Sequence, residues 1–121
     1  MKILIADDNR DAAQSLGTLL ELGNHEVVIA HDGEEALRMA RQAKPDAVIL
    51  DIGMPRVSGD QVARAIRSEP WGGKVLMIAV TGWAEPEDKA RTTAAGFDRH
   101  LTKPVDIDEI EKLLADFAAR A

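Results

Sequence analysis

A chain of 121 residues is the length of one domain, and it can bury about two-thirds of its unfolded surface without staples. It contains no Cys, so disulfides and thiol chemistry are excluded, which suits a reducing, cytoplasmic setting. A formal net charge of -6 argues against sequence-independent binding to nucleic acid, whose phosphates need a basic surface.

Met1 leads into Lys2–Ala6, an apolar run too short for a signal-peptide core or a bilayer span, and a first strand by composition. Asp11–Leu22 reads as a helix, with Asn9 placed to cap it and Gly23 to end it. Leu16, Leu19 and Leu20 recur at helical spacing and are expected to face the core. Glu26–Ala30 is the second strand; His25 and His31, at its ends, are expected to be solvated. Asp32-Gly33-Glu34-Glu35 has capping-box spacing and opens a second helix that Lys44-Pro45 closes.

Ala47–Leu50 is near-continuously apolar, as is Val75–Val80, so both read as strands covered on two faces. Between them Ser58-Gly59-Asp60-Gln61 opens a third helix by the same capping spacing. Pro86 suits the first turn of a fourth, which Gly96 follows. Arg99–Leu101 is a short fifth strand. Asp106-Ile107-Asp108-Glu109 then opens a fifth helix whose Ile107, Ile110, Leu113, Leu114 and Phe117 form a core-facing stripe. No linker, repeat or low-complexity stretch interrupts this (βα) pattern, so one domain over 1–121 is expected. Right-handed crossovers make it an α/β fold, a doubly wound five-stranded parallel sheet with helices on both faces. Its commonest order is the flavodoxin-like 2-1-3-4-5.

Polar groups cluster where the strands end. Asp7 and Asp8 leave the first strand, Asp51 the third, Thr81 the fourth, and Lys103 the fifth. The carboxyl ends of parallel strands share one edge, and that edge is where ligands bind. Three carboxylates about 4–5 Å apart repel by about 1 kcal/mol per pair even in water, and more when partly buried. Lys103 offers one compensating charge and a hard divalent cation two more. An all-oxygen ligand set suits Mg²⁺ better than Zn²⁺, which prefers His and Cys. Asp8 or Asp51 taken singly could instead be a helix cap; their convergence with Thr81 and Lys103 makes a site.

Asp7-Asp8, Asp51 followed by Met54-Pro55 and Gly59, Thr81-Gly82, and Lys103-Pro104 together resemble the motif set of receiver domains of two-component response regulators. The likeness runs from Lys2 to about Ala119. It implies the same doubly wound fold and a phosphoacceptor, not an enzyme with a separate substrate. Asp51 would take a phosphoryl group from a histidine kinase or a histidine phosphotransfer domain, in a self-catalysed transfer followed by slow loss. Asp8 and Asp51, with the backbone carbonyl of Gly53, would ligate Mg²⁺, for which Mn²⁺ could substitute, while Asp7 would hold a metal-bound water. Thr81 and Lys103 would bind phosphoryl oxygens, and Lys103-Pro104 would be a cis peptide.

The resemblance also places a switch at Thr81 and His100, read out on the face of the fourth helix, fifth strand and fifth helix. Histidine departs from the Tyr or Phe usual at that position in free-standing regulators. With Thr81-Gly82-Trp83 and Gly96-Phe97-Asp98 it is closest in style to receivers of hybrid sensor kinases. His100 could equally be a surface residue with no switching role. Trp83 could pack on the fourth helix or overhang the site and limit water access, and Gly53 places no side chain beside the phosphate. A small Mg²⁺-dependent phosphohydrolase of the haloacid dehalogenase type is the alternative. Such enzymes want Asp-x-Asp after the first strand, whereas the aspartates here are adjacent. A flavodoxin-like cofactor binder would need a Ser/Thr/Gly loop where Asp7-Asp8 stand. No DNA-reading motif or basic stripe is present, no membrane insertion is expected, and nothing names the downstream target.

Overall fold

In the computed structural model, residues 1–54, 56–82 and 86–120 are described, the last range without the side chains of 86–88. Trp83, whose placement over the site was in question, lies outside them. Five strands, β1 (Lys2–Ala6), β2 (Glu26–Ala30), β3 (Ala47–Asp51), β4 (Leu76–Thr81) and β5 (Arg99–Thr102), form one sheet in the order β2-β1-β3-β4-β5. Every pairing is parallel. The helices between and after them are α1 (Arg10–Leu22), α2 (Gly33–Ala43), α3 (Gly59–Arg67), α4 (Pro86–Ala95) and α5 (Ile107–Arg120). A single 3₁₀ turn, Gly72–Lys74, precedes β4.

Strand alternation divides the core into two layers. Leu4, Val48, Leu50, Met77 and Ala79 point to the side covered by α2 and α3, where Val62, Ile66 and Phe97 meet them. Ile3, Ile5, Ile49, Ile78 and Val80 point to the other, against Leu20, Ile110 and Leu114 from α1 and α5. Because β1, β3 and β4 are covered on both faces, they read as unbroken apolar runs.

Local signals act where expected, with three differences in detail. Ser58 and Gln61 close a reciprocal capping box at α3, whereas Asp32 accepts from Glu35 N–H and Asp106 from Asp108 N–H. Asn9 accepts from Ala12 N–H and starts α1 at Arg10, one residue before the expected Asp11. The left-handed residue after α1 is Asn24 (φ 69°), not Gly23; Asn tolerates that region because its short amide bonds locally.

Two expectations fail. Leu19 does not face the core: it is 45% exposed, because α1 turns it toward an open cavity beside α5 rather than onto the sheet. His25 is not solvated either: its ring is mostly buried and its Nε2 lies 3.2 Å from Glu111 Oε2 on α5. His31 is half-buried, its Nδ1 enclosed without a hydrogen-bond partner among the described residues. For His25, α5, an element distant in sequence, supplies the partner.

Candidate functional site

The sheet delivers its polar residues to one edge. Asp51 is the last residue of β3 and Thr81 the last of β4; Asp7-Asp8 and Lys103 follow β1 and β5 directly. Backbone bonds beyond the strands fix these ends: Asp7 N–H to Ala30 O at 3.1 Å, Ile52 N–H to Val80 O at 3.1 Å, and Lys103 N–H to Thr81 O at 2.8 Å. The peptide between Lys103 and Pro104 is cis.

The resulting cluster is strongly acidic. Carboxylate oxygens of Asp7, Asp8 and Asp51 all lie within 4.8 Å of one another, a spacing at which one ion could touch all three. Asp7 and Asp51 are buried and Asp8 is exposed. Asp7 Oδ1 accepts from Asn9 N–H at 2.9 Å, yet its carboxyl is raised above the ordinary range. Burial is the main cause and the charge of Asp51 adds to it, against the lowering effects of the Asn9 bond and Lys103. Both oxygens of Asp51 are occupied: Oδ1 accepts from Gly53 N–H at 3.0 Å, and Oδ2 pairs with Lys103 Nζ at 3.2 Å. A Cβ built on Gly53 would lie 3.6 Å from Asp51 Oδ1, so that position does border the Asp51 carboxylate.

Two cavities meet at Asp51. One, of about 590 Å³, is lined by Asp51, Gly53, Thr81 and Lys103, and also by Asp60 of α3 and Arg91 of α4. Arg91 Nε and Asp60 Oδ2 form an ion pair at 2.9 Å. The other, of about 610 Å³, lies between α1 and the β5–α5 connection, with Leu16, Leu19, Val105 and Ile107 as its apolar wall. Sequence reading missed both features. Asp60 looks like an ordinary first-turn acid, Leu19 like part of a core stripe, and only the packing of α3 on α4 and α1 on α5 reveals them.

His100 lies half-buried on β5, with Nδ1 3.2 Å from Thr92 Oγ1 of α4. Thr92 spends its one hydroxyl proton on Lys89 O at 3.0 Å, so it can only accept from His100. The imidazole therefore carries a proton on Nδ1, and its buried Nε2 has no partner among the described residues.

The sequence signature of the response regulator receiver domain matches residues 3–115. The chain belongs to that family. Response regulator MprA of Mycobacterium avium is 36% identical over 110 residues, which is 91% of this chain and 47% of that protein. MprA of Mycobacterium tuberculosis is 34% identical over the same shares. The receiver thus spans about half the length of the curated relatives it matches. Among solved structures, chemotaxis protein CheY4 of Vibrio cholerae superposes with a TM-score of 0.90 at 30% identity, covering 96% of this chain and 97% of that one. A putative response regulator from Chloroflexus aurantiacus gives 0.90 at 28% identity, covering 98% and 97%. The receiver is accordingly a signalling module of two-component systems, in which histidine kinases or phosphotransfer proteins phosphorylate such domains. No described helix is long and apolar enough to cross a membrane.

Proposed function

We propose that residues 1–121 act as one receiver whose phosphoacceptor is Asp51. In the transfer, the bond from a donor histidine nitrogen to phosphorus breaks as a bond from an Asp51 oxygen to phosphorus forms. The electron pair stays on the donor imidazole, which takes a proton from solvent. Little else is needed beyond positioning and positive charge around the phosphoryl oxygens. Lys103 supplies that charge from 3.2 Å, and Thr81 lines the same cavity to bond an oxygen. Slow hydrolysis by water, releasing inorganic phosphate, returns the domain to rest.

Asp7, Asp8 and Asp51, with the carbonyl of Gly53, are the residues to hold Mg²⁺, or Mn²⁺ in its place. Their all-oxygen donor set, with one carboxylate oxygen from each Asp within 4.8 Å of the others, fits a hard cation. Bound there, the ion supplies positive charge against the transferring group. The haloacid dehalogenase alternative is not favoured, since nucleophile and acidic pair sit on different strands.

The output runs through Thr81 and His100. Movement of Thr81 toward a phosphoryl oxygen vacates space behind β4 and β5, and His100 follows at the cost of its bond to Thr92 on α4. The face of α4, β5 and α5 is then the surface a downstream partner reads, while the apolar cavity between α1 and α5 offers a kinase contact area beside the acceptor.

The observation that carries this reading is the Lys103–Asp51 pair inside an acidic cluster at the strand ends. With Mg²⁺ and acetyl phosphate, the protein should gain one acid-stable, base-labile phosphoryl group, seen as a single mass increment. Asp51→Asn should abolish it. Retention of the increment in that variant would refute the assignment.

A further inference from the structure

We propose that Arg91 is a further phosphoryl-binding residue of this receiver, held at the pocket rim by Asp60 until Asp51 is modified. The proposal rests on Asp51 as the phosphoacceptor and adds to it a residue from α4. Arg91 and Asp60, paired with each other, both line the 590 Å³ cavity that is also lined by Asp51, Thr81 and Lys103. Arg91 Nε is 2.9 Å from Asp60 Oδ2; the Arg side chain is 52% exposed and the Asp side chain 13%. Asp60 Oδ1 is buried with no hydrogen-bond partner among the described residues.

That half-satisfied carboxylate is the informative feature. A buried carboxylate oxygen left without a donor is costly, so an ion pair built this way is a poor device for stability alone. It is a good device for keeping a guanidinium beside an anion site. Among the described residues that line the cavity at rest are two anions, Asp51 and Asp60, and two cations, Lys103 and Arg91. Phosphorylation replaces the single charge of Asp51 by about -1.5 to -2, spread over three acceptor oxygens. Lys103 and a bound Mg²⁺ then face that added charge together with the charges of Asp7 and Asp8, and among the described residues Arg91 is a further cation lining the cavity. A guanidinium binds carboxylate and phosphoryl oxygens in the same way, so exchanging one for the other needs a shift of the side chain and not a new fold. Arg91 also precedes Thr92, whose hydroxyl accepts from His100. The exchange thus pulls on the segment of α4 that touches the β5 switch position.

The test uses beryllofluoride as the phosphoryl stand-in at saturating Mg²⁺, with the dissociation constant read from amide chemical shifts. Arg91→Ala should weaken binding about tenfold, the worth of one charge-assisted contact, and Arg91→Lys should recover part of the loss. Asp60→Asn, which removes the competitor but keeps the shape, should tighten binding several-fold in the wild-type background and do nothing when Arg91 is absent. If Arg91→Ala does not fold, Arg91→Gln keeps the side-chain stem and carries the same comparison. Arg91 variants that melt earlier yet bind beryllofluoride within twofold of wild type would show a structural staple and overturn the proposal. So would an Asp60→Asn effect that persists without Arg91. Wild type that takes up no beryllofluoride at Asp51 would refute the phosphoacceptor reading itself, a distinct result.

Discussion

Replacing Asp7 by Asn should stabilise this protein at neutral pH when divalent cations are removed. Oxygens of Asp7 and Asp51 lie within 4.8 Å, and two unit charges at that separation repel by about 0.9 kcal/mol in bulk water and about 3.5 kcal/mol at an effective dielectric near 20. Lys103, paired to Asp51 at 3.2 Å, offsets part of this, so a net gain of about 1 kcal/mol is expected. Asn keeps an oxygen that can accept from Asn9 N–H, so the loop bond survives. For a domain of this length the gain corresponds to about 3–5 °C in the melting midpoint.

The direction with pH follows from the same site. The carboxyl of Asp7 is raised in the folded protein, so the fold binds that proton more tightly than the unfolded chain does. Its contribution is fully present below the unfolded value of 3.8 and is lost as pH rises through the folded one. Wild type should therefore gain on Asp7→Asn as the pH is lowered from 7 toward 4, and the advantage of the variant should shrink. Urea unfolding of both proteins in EDTA across that range decides it. An Asp7→Asn protein no more stable than wild type at pH 7, or an advantage that does not change with pH, would refute the reasoning.

Three further outcomes follow from the geometry. Asp8→Ala should weaken Mg²⁺ binding about tenfold or more by removing a carboxylate, while Lys103→Ala should leave it unchanged or tighter; calorimetric titration of both variants separates a ligand from a competing cation. Arg67→Met should lower unfolding free energy by about 2–4 kcal/mol while sparing Mg²⁺ affinity. Arg67 donates to Gly96 O, Gly72 O, Val75 O and Asp98 Oδ2 at the sheet edge opposite the site, so equal losses in stability and metal affinity would contradict that separation. Gly72→Ala should cost about 3 kcal/mol in urea unfolding, since its Cβ would have to occupy the place of the Ile66 carbonyl; a neutral result would mean the α3–β4 connection relaxes freely.

Much of this molecule is determined by short-range chemistry that a sequence displays. Ala47–Leu50 and Val75–Val80 can only be doubly covered strands because no polar residue interrupts them, and Ser58 with Gln61 dictates where α3 begins. The candidate site was legible for the same reason: Asp51 and Thr81 end β3 and β4, Asp7-Asp8 and Lys103 come just after β1 and β5, and parallel topology sends these strand ends to one edge. What only tertiary structure decided depends on helices meeting across the sheet. Leu19 shares its helical spacing with Leu20, yet the docking of α5 leaves one in an open cavity and buries the other. His25 finds its partner in Glu111, which lies 86 positions away in the chain. Asp60 and Arg91, separated by a helix and a strand, become an ion pair at the mouth of the site because α3 and α4 pack side by side. Periodicity records which face of an element is apolar; it does not record which other element comes to cover it, and that is settled by packing.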